Sequence, residues 1–444
     1  MKIALFTPTH EQSAIGRVTV LVRSALQMAG HDVPLIATEL SEIALAETNP
    51  KLVDSVRWTD ADNVRQIVAE SDIVMHQIGD HYAYHAGSVA WLSEIGGVVA
   101  LHDFFLGDMF LSWVGGHERQ AEQVLESWYA LSLGDYVNMA RGGRFVERTW
   151  PSYPLTEWIC SQADGVIIHS DFGLDLVLRA TSAPVRVLQL PYDLAGRPVI
   201  DASNSTGSIG RQIKATNPLF SGNNRLTILT FGRINKNKLC DLIISSIAAD
   251  SALRAAAEFR IVGTIPPEDS AYLAAMAHAL GVRLQILGEV SQQVLITELE
   301  GADVIACLRS PALESASASA VEGMLSGTPL IVVDTGFYVG LPRDAVFHLP
   351  PLGAQSAMTK LLREIVGNEH DLQAMGRAAA RHAEATYRAD NYASALVGLG
   401  MEVASRRPLL EIDRAYAATL APWGTNARSS SIAIFEQDTA IFRE

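Results

Sequence analysis

The chain reads as an α/β protein built from two doubly wound, parallel-sheet domains that face a central cleft. Its length, the order of its apolar runs and the place where those runs stop all lead there. At 444 residues and 48% hydrophobic content it exceeds what one core fills, because single cores stop growing at about 250–300 residues. Short apolar runs alternate with helical periodicity in both halves, the pattern of parallel strands covered by helices on both faces. Between the halves, from about Val199 to Asn224, the polar stretches DASNSTGS and FSGNN are turn-rich and predict an interdomain linker or flexible loop.

The elements follow in order. In the first half KIALFT is a strand, RVTVLVRSALQMAG a helix, and DVPLIAT, SVRW, DIVMHQ, GVVALHD, DGVIIHS and RVLQLPYD supply further strands. The second series runs RLTILTF, a helix after Lys238, then FRIVGT, RLQILGE, DVIACL, LIVVD and AVFHLP. This predicts a first domain over residues 1–198, a linker over 199–224 and a second domain over 225–388. Ligands in such sheets lie outside the carboxyl ends of the strands. The helical pattern from Ala357 to Val403 carries an expected break at Asp390–Asn391. Within the tail over 410–444, SSSIAIF has strand character and PWGTNARSS is turn-like, with no role legible.

Composition removes several function classes. A formal charge of -15 argues against a nucleic-acid binder, which needs a basic stripe to neutralise phosphates. Cys160, Cys240 and Cys307 are isolated and odd in number, and read as buried thiols in a reducing compartment rather than disulfides or a zinc site. MKIALFTPTHE has too short an apolar run for a signal peptide, and no stretch approaches the ~20 apolar residues of a membrane span. The expectation is a cytoplasmic protein.

The densest functional signal is LESASASAVEGMLSGTPLIVVD, where Glu314 and Glu322 stand with seven residues between them. Glu314 follows the strand-like VIACL, and Glu322 lies in a short helix closed by Gly327 and Pro329. Ser315, Ala316, Ser317, Ala318 and Ser319 are small enough for a ligand to approach the backbone N–H groups that open this helix, where the dipole favours a phosphate. Glu322, about two turns on, suits hydroxyl donors rather than the phosphate it would repel. A serine-rich loop with two solvated glutamates is the plain alternative.

This spacing resembles the E-x7-E signature of the retaining glycosyltransferases of family 4, which have the GT-B fold, and SGTPLIVVD matches that family's usual continuation. LTILTFGRINKNKLCDLIISSI is similar to its strand, GR, lysine and helix block. The resemblance implies that Glu322 holds the nucleotide ribose, that Glu314 contacts the donor sugar, and that Arg233 and Lys238 grip the diphosphate. A forking guanidinium beside a mobile ammonium suits that work. The glycine that commonly follows the lysine is Leu239 here. In this fold the last helix, over 389–409, crosses back to the first domain.

In the first domain THEQSAIGR resembles the family's donor-side loop, with Gly16 opening a helix where backbone must approach an anion. His102 ends the strand GVVALHD, where the family carries a histidine near the donor sugar. DIVMHQIGDHYAYH with LHDFFL resembles a bacterial subgroup with QxGN, a downstream histidine and LHD, and Asp80 takes the place of that subgroup's asparagine. The spacing of His76, His81 and His85 gives no metal-ligand pattern. The apolar run FFLGDMFLSWVGG, Phe104 to Gly116, is core or else an apolar acceptor or peripheral membrane contact on the inner face.

The resemblance therefore implies a metal-independent, retaining hexosyl transfer from a nucleoside diphosphate sugar to a glycan, lipid-linked or protein acceptor, as in polysaccharide biosynthesis. The sugar nucleotide is a substrate and no cofactor is expected. His102, Arg233, Lys238 and Glu314 would do catalysis, and Gly16, Ser315, Ala316, Ser317, Ala318 and Glu322 would complete the donor site. The competing readings are an inactive GT-B scaffold or nucleotide-sugar-binding subunit, and a metal-dependent transferase using Asp60 and Asp62. Asp60, however, is placed to cap a helix.

Overall fold

The structure is a computed structural model and describes residues 1–44, 47–141, 145–194 and 225–420. The expected linker over 199–224 and the tail segment SSSIAIF lie outside the described residues. Two compact units are present. The first comprises Met1–Pro191, Leu313–Ala316 and the chain from Ala389, and the second comprises Tyr192–Ala312 and Ser317–Arg388.

The first unit holds a parallel sheet of β1 (Ile3–Thr7), β2 (Leu35–Ala37), β3 (Val56–Arg57), β4 (Ile73–Ile78), β5 (Val98–Leu101), β6 (Gly165–Ile168) and β7 (Val185–Val187). Their order is β3-β2-β1-β4-β5-β6-β7. Strands β1, β4, β5 and β6 are buried at every residue, as strands covered on both faces must be. The register sets Phe6 beside Ile36 and His76. The order reverses direction between β1 and β4, and the carboxyl ends there are where such sheets take ligands.

The second unit repeats this plan with β8 (Leu226–Phe231), β9 (Ala257–Val262), β10 (Arg283–Gly288), β11 (Val304–Ala306), β12 (Leu330–Val333) and β13 (Val346–Leu349). The order is β10-β9-β8-β11-β12-β13, all parallel, with its reversal between β8 and β11. Its core is a separate cluster around Ile228, Ile243, Phe259, Ile331 and Leu362.

One open reading is resolved and two expectations need correction. The apolar run Phe104–Gly116 is core: Phe104, Phe105, Leu106, Met109 and Phe110 are all 0% exposed. The short helices that follow cover most of it, with Leu125, Tyr136 and Trp158 in the same cluster, so of the two readings of this run the core one holds for these residues. The helix break falls at Tyr387–Arg388 instead of Asp390–Asn391. There Tyr387 is buried and its carbonyl accepts the Tyr192 N–H at 3.3 Å, which takes it out of the helical ladder. The last helix does not stop at 409 but continues through Pro408 to Leu420, its final turns being rich in good helix formers. It packs on the first unit, where a Cβ on Gly400 would come within 2.1 Å of Ile73 and one on Gly165 within 2.7 Å of Val403.

Candidate functional site

In the first unit the polar residues gather where β1, β4, β5 and β6 end. The loop after β1 is tied down by Glu39, a buried carboxylate just past β2 that accepts the N–H groups of Thr9 and, at 2.8 Å, His10. The helix that follows, Ala14–Met28, is capped by Ser13, whose hydroxyl accepts the Gly16 N–H at 3.1 Å. Gly16 thus sits inside the first turn and its N–H is taken by the cap. What requires glycine is the chain beside it, since a Cβ would stand 2.9 Å from the Pro8 carbonyl oxygen.

Strand β4 leads into Gly79 and Asp80, and β5 into His102 and Asp103. A Cβ on Gly79 would lie 2.9 Å from Ile15 and 3.1 Å from both Asp103 Oδ2 and His85 Nε2, so three elements close on this one residue. Asp103 accepts the Asp80 N–H at 2.9 Å. Asp80 in turn accepts the Met109 N–H at 2.8 Å, in the first turn of the Gly107–Val114 helix. This explains the departure from asparagine at Asp80: the position caps a helix, and either side chain offers the needed oxygen. His102 Nε2 is 2.5 Å from Gln77 Oε1, and its ring lies 4.8 Å from that of His169.

The segment Leu313–Ala316 belongs to this unit and is fastened on both sides of Glu314. Leu313 accepts the Phe104 N–H at 2.7 Å and Ser315 donates its N–H to His102 at 2.7 Å. Ser315 Oγ accepts the His169 N–H at 2.7 Å, and its carbonyl accepts the Ser170 hydroxyl at 2.6 Å. Glu314 thereby pairs with Asp103 in an antiparallel bridge and is half-buried.

Burial governs ionisation here. It lifts the Asp103 carboxyl to about 7, opposed by the Asp80 N–H and assisted by Glu314. Asp80 is also raised, by burial first, then held down by its bond to Met109 and pushed up by Asp103 and Asp108. His76 is lowered to about 4, His85 to about 3 and His169 to about 4, all chiefly by burial. Burial also lowers His102, helped by His169 and His85. These imidazoles are neutral at pH 7. Among the described residues, no group of three or more His, Cys, Asp or Glu side chains could hold a metal ion. Asp60 caps the Ala61–Ala69 helix, and its carboxylate also accepts the Asn63 amide N–H at 2.7 Å.

In the second unit the site forms around the end of β8. Gly232, with φ +87°, turns the chain, and a Cβ there would be 3.1 Å from Lys238 Nζ and 3.3 Å from Ser319 Oγ. The ammonium, the strand end and the first turn of the Ala318–Leu325 helix therefore meet at one point. Lys238 is 2% exposed and donates to the Phe231 carbonyl. Ser317 caps the helix by accepting the Ala320 N–H at 3.3 Å. Glu322 is buried within that helix, and Arg233 stands exposed at the strand end. Leu239 occupies the left-handed region with φ 51° and ψ 39°, the physical reason a glycine suits the position after the lysine.

Of the predicted residues, the first unit gathers Gly16, His102, Glu314, Ser315 and Ala316, and the second gathers Arg233, Lys238, Ser317, Ala318 and Glu322. Sequence reasoning did not single out Glu39, Gln77, Asp103, His169 or Ser170 as site residues. The strand-end positions of Asp103, His169 and Ser170 were the available signal.

Residues 213–382 match the family described as glycosyl transferases group 1. Comparison with curated proteins gives no match. Among solved structures, the chain is similar to sucrose-phosphate synthase (tll1590) from Thermosynechococcus elongatus, at 14% identity and a TM-score of 0.58, covering 93% of this chain and 99% of that one. It is similar to Anabaena Alr3699/HepE, solved in complex with UDP-glucose, at 15% identity and a TM-score of 0.53, with coverage of 92% and 99%. It is also similar to WaaG, a glycosyltransferase involved in lipopolysaccharide biosynthesis, at 13% identity and a TM-score of 0.54, covering 90% and 100%. At such identities the likeness concerns the fold, and the fold is GT-B, with parallel-sheet α/β units of seven and six strands.

Proposed function

We propose that the chain is a retaining, metal-independent glycosyltransferase of family 4 that moves a sugar from a nucleoside diphosphate sugar to a hydroxyl acceptor. The observation that carries this reading is the match of residues 213–382 to glycosyl transferases group 1, a stretch that contains Arg233, Lys238 and Glu322. Departure of a diphosphate needs positive potential fixed in advance where charge develops. Lys238 Nζ beside the opening turn of the Ala318–Leu325 helix supplies it, and Arg233 adds a guanidinium able to fork onto phosphate oxygens. These groups take the part that a divalent ion plays in other transferases.

Glu322 accepts hydroxyls of the nucleotide ribose, and Glu314 accepts hydroxyls of the transferred sugar. His102, neutral and at the end of β5, bonds the sugar as an uncharged partner. No side chain is assigned as nucleophile, and the leaving diphosphate helps deprotonate the acceptor on the same face. The UDP-glucose complex of Anabaena Alr3699/HepE supports a uridine nucleotide as the donor to try first.

The test is transfer itself. With donor and acceptor glycan, activity should survive EDTA, and the product should keep the donor's anomeric configuration in an early proton NMR spectrum. Arg233→Ala should lower turnover by about two to three orders of magnitude. Inversion of the anomeric centre would remove the family assignment, and activity lost to EDTA and restored by manganese would remove metal independence. Tight donor binding without turnover on any acceptor would favour the scaffold reading.

A further inference from the structure

Gln77 lies in β4, wholly buried, and is bonded from two sides. Its main-chain carbonyl accepts from His85 Nδ1 at 3.0 Å and from the Ser88 hydroxyl at 3.4 Å, which fixes the strand against the Tyr82–Ile95 helix. Its side-chain Oε1 meets His102 Nε2 at 2.5 Å. Gln77 turns this oxygen to the ring while its own Nε2, also buried, has no partner among the described residues; an amide oxygen only accepts, so with this placement a neutral His102 carries its single proton on Nε2. Among the described residues nothing bonds His102 Nδ1.

We infer that Gln77 is a positioning residue for His102: it fixes the Nε2–H tautomer and leaves Nδ1 as a neutral acceptor for a ligand hydroxyl. Burial first, and then the neighbouring His169 and His85 rings, keep the ring neutral. His85 from the Tyr82–Ile95 helix and His169 from the end of β6 are lowered by burial, as His102 is. Asp103 follows in the chain, and Glu314 pairs with Asp103 across the bridge. An uncharged acceptor selects a hydroxyl over a phosphate, which it cannot hold, so the first unit's strand ends suit the sugar rather than the diphosphate. This identification of the hydroxyl rests on the glycosyltransferase reading. The tautomer does not.

The experiment is long-range proton–nitrogen correlation NMR on the full chain with labelled histidine, with His102 assigned by its disappearance in His102→Asn. Wild type should show a neutral Nε2–H imidazole at every pH from 5.5 to 8.5. Gln77→Leu should lose the fixed tautomer and weaken the sugar nucleotide about tenfold while leaving the bare nucleoside diphosphate unchanged, the effect of one lost hydrogen bond. Gln77→Glu should set a carboxylate against the ring and raise its titration midpoint by about one to three pH units. An Nδ1–H tautomer in wild type, ordinary titration near pH 6.5, or a Gln77→Leu protein with the tautomer intact would overturn the inference. Should Gln77→Glu fail to fold, the wild-type spectrum and Gln77→Leu still decide. A protein that holds the Nε2–H tautomer but transfers no sugar would sink the proposed function and leave Gln77's role standing.

Discussion

Replacing Asp103 by asparagine should stabilise the first unit above pH 7 and change it little near pH 4. Burial lifts the Asp103 carboxyl from 3.8 to about 7. The fold therefore prefers the protonated form, so the group's contribution is fully present below 3.8 and is lost as pH rises through about 7. At about 1.36 kcal/mol per pKa unit, the penalty of keeping the anion folded at pH 8 reaches about 4 kcal/mol at most. Asparagine keeps an oxygen for the Asp80 N–H, bonded at 2.9 Å, and carries no charge beside Glu314. The assay is urea unfolding followed by tryptophan fluorescence, which reads the first unit because Tyr192–Ala312 and Ser317–Arg388 contain no tryptophan. The buried histidines act in the opposite direction, costing stability as pH falls below 6.5, but they are common to both proteins and cancel in the difference. That difference should grow from near zero at pH 4 to about 2–4 kcal/mol at pH 8. A difference independent of pH, or an asparagine variant less stable at pH 8, would refute the reasoning.

Other consequences are as specific. Leu239→Gly should stay within about 1 kcal/mol of wild type, because relief of the left-handed strain offsets lost packing on the second core, whereas Leu239→Val should cost more than about 1 kcal/mol; thermal unfolding of both variants distinguishes them. Glu322→Ala should weaken nucleoside diphosphate binding by about 1.5–3 kcal/mol in calorimetry. Glu314→Ala should instead lower turnover more than binding, and equal losses in the two would contradict the division of labour.

Much of the fold was legible because continuous apolar strands such as IALFT and LTILTF leave little choice of element or partner layer. The charged residues of the second unit were legible too, since Arg233, Lys238 and Glu322 lie in short strand-turn-helix units whose spacing is local. What stayed hidden depends on sheet order. Gln77 and His102 are 25 residues apart, and only the pairing of β4 with β5 brings their side chains together. Asp80 departs from the subgroup's asparagine, and its partner, the Met109 N–H, lies 29 residues away in the chain. The run FFLGDMFLSWVGG showed its apolarity but not its cover, because Leu125, Tyr136 and Trp158 arrive from helices whose packing no periodicity foretells.

The most direct test of the account is calorimetric titration of UDP-, GDP- and ADP-sugars into the wild-type chain and into Lys238→Met, which keeps the buried stem and removes the charge. One nucleotide class should bind wild type saturably, and the variant should lose about 1.5–3 kcal/mol of that affinity, the value of a charge-assisted hydrogen bond. Wild type binding none of the three, or Lys238→Met binding as tightly as wild type, would contradict a diphosphate held at the end of β8.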